Sequence, residues 1–464
     1  MRALSGALAL AAALLAACGG GGGGGGAEGG AATLLPPSGS LPSALTLTLP
    51  GHGLAAADLA VLVAEGDALS EAIAAYYQGA RGIPAANILR VRLPGPAGDA
   101  ISASDFAALK ADIDARLPAG VQATLVSWSA PSRVAGSACT MSLTSALAFG
   151  YDARYCGSGC VATAASAYYD SESSRPWADH QIRPAMMLGA RTLDAAKALI
   201  DRGVAADASR PGGEGWLMRT SDSARSVRYP DYAALPAQWA GSLALNVVDN
   251  SAGAAGGDSL VGKSNVLFYF TGLARVPDLA SNGFRPGAAA DALTSTGGVL
   301  PGGGGQMPIT DWLDAGATAS YGTVAEPCNF VEKFSRASIL IDQYWRGATL
   351  IEAYWKSVQW PGQGLFIGEP LARPWPEAAS LTISAGRYLI SSRALRPGAS
   401  YALQYRTAAN ANWVTLANFS TSASSRAGLQ SFSAPLAPGE ATQLRWLGPC
   451  GTDRSQQCQL AISG

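Results

Sequence analysis

From Asp58 onward, short apolar runs alternate with amphipathic stretches. Leu59-Ala60-Val61-Leu62-Val63 is continuously apolar, as expected for a strand buried on both faces. Residues 68–80 carry a helical period, and Asn87 to Leu93 predicts a second strand. Ser104 to Arg116 predicts a second helix with Ser104 as its N-cap, followed by a third strand from Ala123 to Trp128. The alternation resumes with a helix at Leu193 to Arg202 and strands at Gly215 to Arg219, Leu243 to Val248 and Asn265 to Phe270. Further apolar runs stand at Ala289 to Leu293, Ala317 to Val324 and Leu365 to Gly368, with helical patterns at Ser338 to Arg346 and Leu350 to Ser357 between the last two. Strands separated by helices of this length predict an α/β fold: a mainly parallel sheet with helices on both faces.

The pattern changes at both ends. After Pro374-Trp375-Pro376 it breaks into short alternating segments, among them Ser380 to Ile383, Tyr401 to Tyr405 and Gln443 to Leu447, which predict a small all-β, immunoglobulin-like sandwich over residues 376–464. At the other end, Arg2, an apolar run from Ala7 to Leu14 and Leu15-Ala16-Ala17-Cys18 form a lipoprotein signal peptide with its lipobox. The apolar stretch is too short to span a bilayer. Cleavage after residue 17 makes Cys18 the lipidated N-terminus, and the glycine-rich residues 18–43 form a flexible tether. Residues 44–375 remain as the α/β domain. Gly19 in place of Asp after the lipidated cysteine predicts sorting to the outer membrane if the source is Gram-negative. The partner expected from this end of the chain is a membrane, held through the lipid.

Charge narrows the partners. Lys+Arg total 32 against Asp+Glu 33, a formal charge of -1, so no basic field exists to hold a phosphate backbone, and nucleic acid is not expected. Of the seven cysteines, Cys18 is assigned to lipid. The others are even in number in an oxidising compartment, which favours disulfides. Cys450 and Cys458 flank a short polar loop and make the easiest pair; Cys139, Cys156, Cys160 and Cys328 allow three pairings. A four-cysteine zinc site is the alternative, but Cys156-x3-Cys160 lacks a matching second pair, and no metal is assigned.

The motifs that could carry chemistry are few. Gly257-Asp258-Ser259-Leu260-Val261-Gly262-Lys263-Ser264 matches the P-loop pattern, yet the residues after it read as a strand where phosphate binding needs a helix. It is read as a turn, and neither nucleotide nor any other cofactor is expected. His52 and His180 are the two histidines; His52 reads as an exposed loop residue, and His180, beside Asp179 and near Asp170 and Glu172, as part of a solvated loop. No Gly-x-Ser-x-Gly elbow is present. In a parallel sheet a ligand sits beyond the carboxyl ends of the strands. The polar groups expected there are Asp67, Arg133, Asp222 with Arg225 and Arg228, Asp249, Asn250, Thr271 and Thr294-Ser295-Thr296. Asp222, Arg225, Asp249 and Thr271 are the candidate ligand-binding residues.

At Tyr76-Tyr77-x3-Arg81-Gly82-Ile83-Pro84-x2-Asn87-Ile88 the chain resembles an uncharacterised family of exported bacterial proteins. The resemblance continues through Thr144-Ser145-Ala146-Leu147, Arg183-Pro184-x-Met186-Met187, Asp201-Arg202-Gly203, Gly322-Thr323-Val324-x-Glu326-Pro327 and Gly368-Glu369-Pro370-Leu371. It spans roughly Leu54 to Trp375 and implies no known activity. More distantly, the second half resembles the gingipain-type, caspase-like cysteine peptidases. They also have a late Gly-Thr-Val strand, a helix, a closing Gly-Asp-Pro motif and an immunoglobulin-like module. Those peptidases place Gly-His-Gly after one strand and a catalytic Cys after the next. Here the matching positions read Thr271-Gly272-Leu273 and Thr294-Ser295-Thr296-Gly297-Gly298, so both catalytic residues are missing, and Cys328 falls one strand too late. The resemblance implies the fold without its usual chemistry. The expected function is that of an envelope-anchored, non-catalytic binding protein with a polymer or protein partner. The alternative is a hydrolase relying on Asp, Glu, Arg or hydroxyl groups at the sheet edge.

Overall fold

A computed structural model describes residues 46–47, 53–95, 98–376, 380–422 and 429–448. The expectations for Cys18, the glycine tether, His52 and the Cys450–Cys458 pair lie outside these residues. Ten strands of the central sheet are β1 (Leu59–Ala64), β2 (Ile88–Val91), β3 (Ala123–Val126), β4 (Ala185–Met187), β5 (Glu214–Arg219), β6 (Ala244–Asp249), β7 (Val266–Thr271), β8 (Phe284–Ala292), β9 (Ala319–Thr323) and β10 (Gly364–Gly368). Their order across the sheet is β6-β5-β7-β8-β9-β10-β4-β3-β1-β2. All neighbours are parallel except β9 and β10, which run antiparallel with Ser320 opposite Ile367. The mainly parallel sheet expected from the alternation is therefore present.

The single antiparallel pairing divides the sheet into two parallel halves pointing in opposite directions, each with its first strand inside its second. Carboxyl ends of β1 to β4 and β10 face one edge, and those of β5 to β9 face the other. Asp67 follows β1 and Arg133 follows β3, so they do not join Asp222, Asp249 and Thr271 at one edge as the parallel-sheet reading required. The physical reason is the reversal between β9 and β10.

Helices α1 (Ala68–Arg81), α2 (Ala103–Arg116), α3 (Leu143–Phe149), α4 (Leu193–Ala206), α5 (Ala337–Trp345) and α6 (Leu350–Ser357) cover the sheet. The crossovers from β1 to β2 and from β2 to β3 travel in opposite directions, so right-handed connections put α1 and α2 on opposite faces. Helix α1 starts where the Asp67 carboxylate accepts from the amides of Leu69 and Ser70, and ends at Gly82, whose left-handed φ of 65° suits glycine. The N-cap of α2 is Ser102, two residues before the expected Ser104, with its hydroxyl accepting from Asp105 N. Core packing is dense: Trp355 of α6 stacks on Phe366 of β10 with ring centroids 4.3 Å apart and donates its indole N–H to Ala185 O at 2.9 Å. Each such fully buried large side chain contributes about 1.5–3 kcal/mol.

Beyond Trp375, the strands β11 (Ser380–Ser384), β12 (Arg387–Ser392), β13 (Ser400–Arg406), β14 (Val414–Ser420), β15 (Gln430–Pro435) and β16 (Gln443–Leu447) form two small sheets. One is β11-β12-β15; the other places Thr46–Leu47 beside β16, then β13 and β14. Pairing within both is antiparallel, apart from the parallel addition of Thr46–Leu47. Tyr388, Ile390, Leu403, Ala434 and Leu444 fill the space between them. An ion-pair network fastens this module to the α/β domain. Arg396 donates to Asp170 and Glu172, and Arg346 of the loop after α5 donates to Glu172 at 2.7 Å. No helix among the described residues is long and apolar enough to cross a membrane.

Candidate functional site

In the second half of the sheet, β5 is flanked by β6 on one side and β7 on the other. Successive crossovers therefore leave in opposite directions from β5, which creates the crevice where open α/β sheets bind ligands. Three of the four candidate residues sit at its rim. Asp222 and Arg225 lie on the turn after β5, Thr271 ends β7, and Asp249 ends the adjacent β6.

The geometry of the crevice is closed. Thr220 Oγ1 donates to Gly272 O at 2.8 Å, and Thr220 N donates to Ser226 Oγ at 2.9 Å, so the turn of residues 220–226 is tied down across β7. A Cβ on Gly272 would stand 2.2 Å from Arg225 O, closer than any real side chain approaches. Asp222 forms an ion pair with Arg225 at 2.8 Å, the two side chains 28% and 27% exposed. Hydrogen bonds from Ser251, whose N–H lies 2.9 Å from Asp249, hold that carboxyl below the usual range, helped by the ion pair with Arg219 at 3.0 Å. Arg219 also lies over the ring of Tyr229, 4.5 Å from its centroid. Thr271 is buried, and its hydroxyl has no hydrogen-bond partner among the described residues. The candidate residues thus line one edge, but each acid is already bound to an arginine of its own.

Beneath this rim lies an ion pair of which pattern reading named Arg228 but missed Asp291. Arg228 and Asp291, 3% and 1% exposed, form a 2.6 Å ion pair. Ser335 Oγ donates to the same carboxylate, and Arg228 Nη2 donates to Thr271 O at 2.7 Å. For Asp291, burial is the strongest influence and pushes its carboxyl up, opposed by Arg228. For Arg228, burial opposes the charge, but Asp291 outweighs it and the pKa is raised. The signal was in the sequence: Asp291 interrupts the run Ala288-Ala289-Ala290, and a carboxylate inside a buried strand requires a partner. Lys333 was also missed. It is buried over Phe330 with its Nζ unpartnered, and burial pushes its pKa down to about 8, opposed by Glu326.

The Thr294 to Gly298 segment is bound into the loop after β8. Thr323 Oγ1 donates to Thr294 O at 2.6 Å, and Gln306 Oε1 accepts from Ser295 N at 2.7 Å. All four described cysteines form disulfides, Cys139–Cys156 with Cα atoms 5.8 Å apart and Cys160–Cys328 with 5.5 Å, which settles one of the three pairings left open. His180 corrects the solvated-loop reading. It ends a short helix, Pro176–His180, and its Nε2 lies 3.1 Å from Ser171 Oγ. Burial lowers its pKa, opposed by Asp179. Asp170 and Glu172 are committed to the arginine network described above. The Gly257 to Ser264 segment runs as turns into β7, as read. Among the described residues no group of three His, Cys, Asp or Glu is placed to hold a metal ion. An open groove of about 490 Å³ lies elsewhere, lined by Arg275, Val276, Leu279, Met307, Asp311 and Ala315, and none of the four candidate residues reaches it.

No protein-family profile matches the chain, and no curated protein matches it. Among solved structures it is similar to one titled "Structure of Protease", at 11% identity over 85% of this chain and 95% of that chain, with a TM-score of 0.41. It is also similar to the complex of Porphyromonas gingivalis RgpB pro- and mature domains, at 9% identity over 84% and 96%, with a TM-score of 0.37.

Proposed function

We propose that this chain is an exported lipoprotein, anchored through Cys18 in the outer membrane of a Gram-negative cell, whose α/β body is a binding scaffold without cysteine-peptidase chemistry. The observation that supports this reading most directly is the Arg225 carbonyl beside Gly272, which leaves no room for the imidazole that a thiol mechanism needs at that strand end. The bonded state of Cys139, Cys156, Cys160 and Cys328 points the same way. The lipobox supports the location, and the even charge balance favours a polymer or protein partner over nucleic acid. The mature protein is to be assayed against peptide, ester and glycan substrates and a thiol-directed peptide inhibitor, with no turnover and no label expected. Turnover that survives Cys328→Ala would replace this reading with that of a hydrolase. Mass spectrometry of the mature N-terminus tests the anchor: diacylglyceryl-modified Cys18 is expected, and an unmodified N-terminus at another residue would reject it.

A further inference from the structure

The outer face of the C-terminal module carries charge that the rest of the fold does not use. Strand β13 lies between β14 and β16, with Gln404 opposite both Thr415 and Arg445, and Arg406 opposite Gln443. Side chains alternate along a strand, so Gln404, Arg406, Thr415, Gln443, Arg445 and Trp413, just before β14, share one face. The other face carries Leu403 and Leu444 into the core. On the outer face the Arg406 guanidinium stands 4.6 Å and that of Arg445 4.2 Å from the centre of the Trp413 ring. Two like charges are therefore gathered on one indole, an arrangement that cation–π attraction stabilises only modestly.

The hydrogen bonds of this cluster are one-sided. Arg406 Nε donates to Gln443 Oε1, Arg445 Nε donates to Gln404 Oε1 at 2.9 Å, and Gln404 Nε2 donates to Thr415 Oγ1 at 3.2 Å. The amide oxygens orient both guanidinium groups and are used up in doing so. The remaining N–H donors of each arginine meet no carboxylate among the described residues. Glu440, the acid nearest Arg445 in sequence, is exposed and forms no ion pair with either arginine. Arg445 feels the mismatch, since burial and the neighbouring Arg406 charge lower its pKa. A fork of free guanidinium donors suits an oxyanion with two acceptor oxygens.

We propose that Arg406, Arg445 and Trp413 form a binding site for the carboxylate groups of an acidic polysaccharide. This names a ligand class for the binding reading above and rests on it. An anionic membrane surface is disfavoured because such attraction sums over many clustered basic residues. Here two arginines stand on a chain of net charge -1. The amide N–H of Gln443 and the exposed hydroxyl of Thr415 instead supply neutral hydrogen-bonding groups beside them, which matches a hydroxyl-rich polymer.

The test uses the whole mature chain in detergent with three probes: polygalacturonate, neutral dextran of similar length, and phosphatidylglycerol vesicles. Binding to polygalacturonate but not dextran is expected, with at least a tenfold loss in Arg406→Gln/Arg445→Gln at an unchanged melting temperature. Arg406→Lys/Arg445→Lys, which keeps the charge without the fork, should fall between. Equal affinity of the Gln variant and the native chain overturns the proposal, as does equal binding of dextran, or arginine-dependent vesicle binding without polygalacturonate binding. The length of the recovered polymer is read in the same samples. Shortened chains would overturn the non-catalytic reading while leaving the site itself standing on the affinity data.

Discussion

Compare how the two halves of the sheet close the crevices at their first strands. Between β1 and β3, two hydroxyls suffice: Ser70 and Ser127 lie 2.6 Å apart, Ser70 Oγ accepts from Ala64 N at 2.9 Å, and Ser127 Oγ donates to Leu62 O at 3.0 Å. Between β5 and β7, a whole turn folds across the gap, and a charged pair is buried below it. The strand order is alike, but the first closure is neutral and local, whereas the second depends on Arg228, Asp291 and Ser335 from three separate segments. A crevice at the reversal of strand order is therefore a place for a ligand only if the loops leave it open, and in this chain neither does.

The largest effect that would break this comparison comes from the buried pair. Arg228→Ala leaves Asp291 uncompensated in the interior and should cost about 3–5 kcal/mol in urea unfolding. Arg228→Met with Asp291→Leu should lie much closer to the native stability, because removing both charges also removes their desolvation cost. A single variant that loses less than about 1 kcal/mol would mean that the pair is hydrated, and the contrast between the halves would vanish.

Next in size is the turn. Gly272→His places a side chain where the Arg225 carbonyl stands, so the turn of residues 220–226 must move, at a cost of about 1–3 kcal/mol. The variant should show no peptidase activity. A variant with native stability and new proteolysis would show that the turn yields readily and that the crevice is a working site.

A third test concerns the seam between the halves, which α5 and α6 bridge in the chain. Lys356 of α6 is fully buried, its Nζ has no hydrogen-bond partner among the described residues, and it lies 5.2 Å from the centre of the Tyr168 ring. Burial pushes its pKa down from 10.5 to about 8, against the pull of Glu352 and Glu172 and with the help of Arg346 and Arg396. A depressed folded value means that the unfolded chain holds this proton longer. Stability should then rise as pH climbs from about 8 toward 10.5 and be lost as pH falls through 8. Between pH 7.5 and 9.5 the gain should be about 1–2 kcal/mol. Lys356→Met should flatten that rise and be the more stable protein at pH 7.5. If both proteins show the same slope, the amine is solvated and its burial contributes nothing to the pH dependence.

The difference between the halves was only partly legible in the sequence. Apolar runs located β1, β5, β7 and β9, because a strand covered on both faces must be apolar throughout. Direction is another matter. Gly364-Leu365-Phe366-Ile367-Gly368 reads the same whether its neighbour is parallel or antiparallel, so the reversal beside β9, and with it the displacement of Asp67 and Arg133 to the far edge, depends on tertiary pairing. Strand β4 has three residues and α3 has seven, too short for a period to show. Ser102 and Ser104 are equally good caps by type, and the bonds of Ser102 with Asp105 make it the first. At the site, residue types gave the edge of Asp222, Asp249 and Thr271, with Arg225 three residues from Asp222, but not the pairing of Asp249 with Arg219 across β6 and β5, which depends on register.

The smallest effect is expected at that rim, and it decides what the rim is. Asp222 with Arg225 and Asp249 with Arg219 are partly exposed pairs, of the kind that contributes about 0–1 kcal/mol. Asp222→Ala should therefore change the free energy of urea unfolding by less than about 1 kcal/mol, and Asp249→Ala should leave the urea midpoint essentially where it is. Asp222→Ala should have the larger effect of the two, because Asp222 is the less exposed acid and its bond from Arg225 N, at 3.1 Å, lies within the turn that crosses β7. Two exposed acids that can be removed at little cost are free to serve a ligand, and their arginines would then face it unpaired. A loss of 2 kcal/mol or more from either variant would show instead that the turn needs these bonds to stay across β7. Asp222 and Asp249 would then belong with Arg228 and Asp291, as part of what seals the second crevice, and would no longer be candidates for binding anything.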